Sequence, residues 1–158
     1  MAKVLVAYYS RGGNTRRMAE LVAEGARKAG ADVELATVDK IMPEDLLDYD
    51  GIIIGSPTYY GQMCAEIKKL FDDSVRFHGK LEGKVGGAFS SAANIGGGNE
   101  TTILGILEAM LIHGMVVQGS PQGDHYGPVA ICGPDERATK QCRELGERVA
   151  KLSARLHR

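Results

Sequence analysis

The stretch Val4-Leu5-Val6-Ala7-Tyr8-Tyr9-Ser10-Arg11-Gly12-Gly13-Asn14-Thr15 decides the fold. Its first half is a near-continuous apolar run, which predicts a buried strand from Lys3 to Tyr9. Its second half, from Ser10 to Asn14, is a turn of small and polar residues. Downstream, Met18, Leu21, Val22 and the pair Gly25-Ala26 recur at helical spacing from Thr15 to Ala29, and Gly30 supplies a C-terminal stop. A strand, a glycine-containing turn and a helix therefore open the chain. A parallel sheet needs such a crossover.

The rest of the chain repeats the alternation. Asp32 to Val38 alternates polar and apolar residues, as a half-buried edge strand does. Pro43 to Asp48 is a helical turn or two with Leu46 and Leu47 inward. Ile52-Ile53-Ile54, bounded by glycines, predicts a strand covered on both faces. A helix is expected from Ala65 to Asp73 and a weaker strand from Lys84 to Ser90, with Gly86 and Gly87 inside it. A long apolar helix follows from Glu100 to Ile112, and a fifth strand starts at Met115-Val116-Val117. After a Gly/Pro loop from Gly119 to Pro128, a short extended piece (Val129 to Cys132) precedes an amphipathic helix from Pro134 to His157 with the stripe Leu145, Val149 and Leu152. The class is α/β, and no linker or repeat divides residues 1–158.

Composition narrows the function. In 158 residues, 19 basic and 20 acidic side chains leave a formal charge of −1, so no global field draws the chain to nucleic acid or a membrane surface. The N-terminal apolar run is too short for a signal peptide or a membrane span. Three widely spaced cysteines with no CxxC pair exclude a disulfide framework, a zinc site and a cysteine-ligated cluster, and point to a cytoplasmic address. Glycine is in excess, with 21 residues in 158 against about 7% in an average chain.

Ligands of open α/β sheets sit outside the carboxyl ends of the strands, and three loops there are unusual. In Ser10-Arg11-Gly12-Gly13-Asn14-Thr15, small side chains let backbone N–H groups and a helix N-terminus close on an anion, with Ser10, Thr15 and Asn14 as further donors. A phosphate monoester fits, and Arg11 need not touch it. The spacing is not the GxGxxG of dinucleotide sites nor the GxxxxGK[ST] of nucleoside-triphosphate loops. Position 10 is Ser, not the cysteine of a CxxxxxR phosphatase loop, and Ser56-Pro57 replaces the aspartate of a receiver domain. The second loop, Pro57-Thr58-Tyr59-Tyr60-Gly61-Gln62 after Ser56, displays two aromatics suited to stacking on a planar ring. The third, Ser90-Ser91-Ala92-Ala93-Asn94-Ile95-Gly96 followed by Gly97-Gly98, offers N–H groups to that ring's polar edge. Phosphate cradle, stacking wall and amide-rich edge together describe flavin mononucleotide, FMN.

Met1-Ala2-Lys3-Val4-Leu5-Val6 with Tyr8-Tyr9-Ser10, then Asp48-Tyr49-Asp50, Gly55-Ser56-Pro57-Thr58, Phe89-Ser90-Ser91, Gly96-Gly97-Gly98 and His113-Gly114-Met115-Val116 together resemble the flavodoxin superfamily. They are most similar to its WrbA-type NAD(P)H:quinone oxidoreductase branch. The resemblance implies a flavodoxin-like three-layer α/β/α sandwich, a five-stranded parallel sheet of order 2-1-3-4-5, and residues 1–158 as one FMN-binding domain. It assigns the FMN phosphate to Ser10 through Thr15, the ring and ribityl wall to Pro57 through Gln62, the ring edge to Ser90 through Gly96, and completion of the site, with a catalytic role, to His113. The last-turn position of His113 before Gly114 is equally that of a helix cap.

The resemblance further implies NADH or NADPH as electron donor, a quinone as acceptor, and a homo-oligomer, dimer or tetramer. Two features depart from the branch: no aromatic residue stands near Gly12, and Phe77 or His78 lies near where a tryptophan would border the nicotinamide. The stretch between the second and third strands is also shortened. The alternative function is a flavodoxin-type electron carrier docking on redox proteins, although such carriers are usually strongly acidic and this chain is not. His125 reads as a solvent-exposed loop residue and Cys64 as small packing.

Overall fold

A computed structural model describes residues 1–157. The opening apolar run forms β1 (Lys3–Tyr8), and Val4, Leu5, Val6 and Ala7 are fully buried. Such a run has no polar face to give to water, so it needs cover on both sides and a partner at each edge. β2 (Asp32–Thr37) and β3 (Gly51–Tyr59) supply the edges, both parallel, with Val6 opposite Leu35 on one side and Ile53 on the other. β3 runs on past its buried isoleucines and folds back as β4 (Gln62–Met63), an antiparallel hairpin where the sequence predicts only a loop.

β5 (Val85–Ala92) lies parallel to the far edge of β3. Its own outer edge carries two pieces, β6 (Val116–Val117) against Val85-Gly86 and β7 (Val129–Ile131) against Ser90 to Ala92. The order is thus the expected 2-1-3-4-5, with the fifth strand split in two and one short strand added. Asp124 anchors the intervening loop. Its carboxylate accepts from Val129 N at 2.9 Å and pairs with Arg137 at 2.6 Å.

Among the described residues, four α-helices cover the sheet: α1 (Asn14–Lys28), α2 (Ala65–Asp73), α3 (Asn99–Ile112) and α4 (Glu136–Leu156). The period of two along each strand sorts the core into halves. Val4, Val6, Ile53, Val85 and Phe89 face α1 and α4, where Met18, Val22, Leu145 and Val149 meet them. Leu5, Ala7, Ile52, Ile54 and Ala88 face α2 and α3, meeting Ile67, Leu70, Ile103 and Ile106. Each fully buried aliphatic side chain contributes roughly 1.5–3 kcal/mol, and the central strands supply them on both faces.

α1 and α4 touch backbone to backbone. A Cβ on Gly25 would lie 2.0 Å from the carbonyl oxygen of Arg143, and one on Gly146 would lie 1.9 Å from that of Val22. In an isolated helix Gly→Ala would stabilise by about 0.8–1 kcal/mol. Here the clash is with main chain that cannot rotate away. Gly146→Ala is therefore expected to destabilise the protein by about 2–3 kcal/mol, read as a lower denaturant midpoint at unchanged slope.

Candidate functional site

β1 delivers Tyr9 and Ser10 to the carboxyl edge of the sheet, and the loop closes on itself there, with Gly13 N donating to Ser10 Oγ at 3.0 Å. Gly13, at φ +96°, precedes the first turn of α1. No side chain caps that turn and it holds no acidic residue. The N–H groups that begin any helix, and the positive end of its dipole, are left open to an anion.

The second segment is held by hydroxyls. Thr58 Oγ1 donates to Asn99 Oδ1 at 3.0 Å, which leaves Ser90 Oγ to donate to Thr58 across 2.8 Å. Thr102 Oγ1 lies 3.1 Å from Thr58 Oγ1 and bonds Gly98 O at 2.8 Å. Beyond Thr58 the hairpin turns through Tyr60 (φ 50°) and Gly61 (φ 76°), two successive left-handed residues as in a type I′ turn. Tyr60 is fully exposed and Tyr59 is 40% exposed. The tip is tied down by Thr101 Oγ1, which donates to Gly61 O at 2.6 Å. A buried hydroxyl pair, Thr15 Oγ1 and Ser91 Oγ at 2.8 Å, joins the first segment to the third.

These segments enclose a cleft of about 660 Å³, within the ~300–1,000 Å³ of small-molecule sites. Ser10, Arg11, Gly12, Asn14 and Thr15 line one side, Pro57, Thr58 and Tyr59 another, and Ser91, Ala92 and Ala93 a third. Gly13 and the fully buried Ser90 stand behind the wall as supports. Tyr60, Gly61 and Gln62 form the hairpin tip, and Asn94, Ile95 and Gly96 form an exposed turn beyond Ala93; none of these six lines the cleft. Cys132 does line it and was missed by the sequence reading. The available signal was its place just past β7, another strand carboxyl end.

His113 does not line this cleft. It caps α3 at the end remote from Gly98, so a 14-residue helix of about 21 Å separates it from the cleft within this chain. It is buried, 2.7 Å from Ser74 Oγ through Nε2, and its ring stacks on Phe77 with centroids 6.3 Å apart. Ser74 gives its proton to Phe71 O at 2.6 Å, so His113 Nε2 is the donor and Nδ1 keeps a lone pair with no partner. Phe77 and His78 pack beside His113, not at the cleft. His125 is exposed and donates Nδ1–H to Ser120 O at 2.8 Å.

Two neighbouring groups are electrostatically altered. The Tyr9 hydroxyl is pushed above its ordinary value chiefly by the Glu66 carboxylate, then by burial and by Tyr59. Burial raises the Cys64 thiol, which holds it protonated and weakly reactive; it is a packing residue whose N–H donates to Ser56 Oγ.

An open helix N-terminus with Ser10, an aromatic wall at Tyr59 and a small-residue edge are the parts a flavin nucleotide needs, and the residues present fit FMN. A parallel sheet of this order with such a crevice defines a flavodoxin-like protein. The chain belongs to the flavodoxin family, whose profile matches residues 6–146. It is 43% identical to a protein of Aquifex aeolicus named flavodoxin, covering 98% of this chain and 88% of the relative. It is 38% identical to an NAD(P)H dehydrogenase (quinone) of Sinorhizobium fredii, covering 99% of each. The crystal structure of a WrbA-like flavodoxin from Agrobacterium tumefaciens superposes with a TM-score of 0.84 at 30% identity, covering 99% of both chains.

Burial holds the His113 imidazole below its ordinary 6.5, with His78 adding to the shift. The unfolded chain then takes up this proton near pH 6.5 while the folded one does not. Stability present above pH 6.5 is expected to fall as pH drops toward the folded value. His113→Gln should flatten that part of the profile, measured by urea denaturation between pH 5 and 8.

Proposed function

We propose that this chain binds FMN in the cleft and works as an oxidoreductase, taking electrons from NADH or NADPH and passing two of them to a quinone. The observation that carries the reading is the convergence of an uncapped helix start, the Tyr59 wall and the Ser91 to Ala93 edge on one crevice between β1 and β3. The names of full-length relatives support it. Ser10, Asn14 and Thr15 would hold the phosphate together with the first N–H groups of α1. Pro57, Thr58 and Tyr59 would orient the ring and shield one side from water. Backbone donors of the Ser91 to Ala93 strand end would face its polar edge, where fixed dipoles stabilise negative charge as it develops. The cofactor, when bound, supplies the hydride and electron chemistry. With 660 Å³ open to solvent, donor and acceptor would use the cleft in turn.

Residues 1–158 act in this reading as one flavin-binding unit, in a cytoplasmic setting that suits three free cysteines. No helix among the described residues is long and apolar enough to cross a membrane.

One observation favours the carrier reading. The alignment with the Aquifex flavodoxin spans 163 positions and that with the Sinorhizobium quinone enzyme 197, so about 40 positions of the longer relative face gaps in this 158-residue chain. Anaerobic mixing of the FMN-loaded protein with NADH or NADPH, then a benzoquinone, separates the two. Rapid bleaching of flavin absorbance followed by quinone-dependent return is expected. Slow or absent bleaching by both nucleotides would select the carrier, and no flavin uptake at all would defeat both.

The homo-oligomer in this reading would form through α3. The outer side of that helix exposes Leu104, Leu111 and Ile112 around Glu108, and Ile112 borders one depression with the exposed Val75, as a helix does when part of it packs on another chain. A second copy is the occupant that needs no other component. Light scattering is expected to give a dimer or larger for the native chain and a monomer for Ile112→Glu; a monomeric native chain would remove this part.

A further inference from the structure

We propose that Arg17 is the cation that closes over the FMN phosphate, held in position by the missing side chain of Gly133; this rests on the FMN reading above. Arg17 lies one turn after Asn14, and helical side chains lean back toward the N-terminus of their helix. Its guanidinium is therefore carried toward the turn that meets the cleft. There it lies flat over Gly133: a Cβ on that residue would fall 2.8 Å from one terminal nitrogen and 3.1 Å from both the other nitrogen and the central carbon. Gly133 is not at positive φ, so its backbone does not demand glycine. The space taken by the guanidinium accounts for it. Gly133 follows Cys132, which lines the cleft, so the Arg17 guanidinium stands just outside the cleft, one residue from its wall at the end of β7.

Charge pairing points the same way. Arg16, Arg76, Arg137 and Arg143 each meet a carboxylate, at 3.0, 3.0, 2.6 and 3.1 Å. The Arg17 guanidinium has neither an ion pair nor a hydrogen bond among the described residues. A planar fork packed on backbone with its N–H groups unpaired, beside an anion cradle, matches the geometry of a phosphate dianion. Arg11 also lines the cleft, but it belongs to the loop ahead of α1 and not to the helix. Arg11 thus lines the cleft itself, while Arg17 approaches it from the Gly133 side.

The test compares FMN with riboflavin, which lacks the phosphate, by quenching of flavin fluorescence on the full chain. The native protein is expected to favour FMN. Arg17→Ala should weaken FMN about tenfold, the scale of one charge-assisted contact, and leave riboflavin unchanged. Gly133→Ala should act in the same direction by displacing the guanidinium, and Arg17→Lys should recover part of the loss. Arg16→Ala, which removes an arginine already paired with Glu20, should change neither ligand. Unchanged riboflavin affinity verifies that each variant is folded. If the native chain binds FMN and Arg17→Ala weakens both flavins alike, or neither, this proposal is overturned alone. A native chain that binds neither flavin overturns the FMN reading and this proposal with it.

Discussion

The structure depends on the burial of β1 and β3 side by side, both faces covered, with their connections leaving to opposite sides. From β1 the chain crosses to α1 on the face shared with α4; from β3 it crosses to α2 on the face shared with α3. Two loops that part in this way leave a crevice between them. The cleft is a consequence of strand order, and its walls inherit the rigidity of the sheet. Val6 opposite Ile53 and Tyr8 opposite Gly55 fix the register, so Ser10 and Pro57 face each other without either loop having to fold independently. A slip of one residue would turn every buried side chain of β1 to the wrong half of the core.

Polar atoms extend that rigidity to the cleft. Ser90 and Thr15 are buried hydroxyls with one proton each, and both spend it on, or receive it from, another of the converging segments. An apolar residue at Thr58 would leave Ser90 and Asn99 each short of a partner, at about 1–3 kcal/mol for a buried unsatisfied group. The chain thus holds a wide cleft open with short side chains, and keeps bulk out of the space a cofactor would fill. Tyr60 illustrates the cost. It sits at φ 50°, where asparagine or glycine is usual, and the loop tolerates this because Thr101 and the close packing of Gly98 on Gly61 fix its base.

Much of this was legible in the sequence, since the apolar runs of β1 and β3 and the stripes of α1 and α4 follow directly from period and burial. The hairpin of β4 was not, because Tyr60-Gly61 lacks the Asn-Gly or Asp-Gly signature of its turn. The two-piece fifth strand was read as one strand and a detached extension; its pieces are joined only through pairing with β5, which a linear reading does not contain. Cys132 was overlooked for the same reason. His113 was placed by resemblance, whereas the helix that carries it points it to the opposite end of the sheet. The glycine excess has two causes. Gly12 fits ligand approach, while Gly25, Gly146, Gly55 and Gly98 each make room for protein.

Net charge says little about the cleft. A total of −1 describes the far field, and at distances beyond a Debye length of about 8–10 Å it is all a partner senses. At the cleft the relevant charges are Arg11 and the start of α1, with no acidic residue among those lining it. Carboxylates elsewhere are spent on their own pairings, such as Glu20 with Arg16 and Asp124 with Arg137. A nearly neutral protein can therefore present a locally positive crevice. That local sign is what a phosphate-bearing cofactor would meet, whereas the overall balance bears on which larger partners approach.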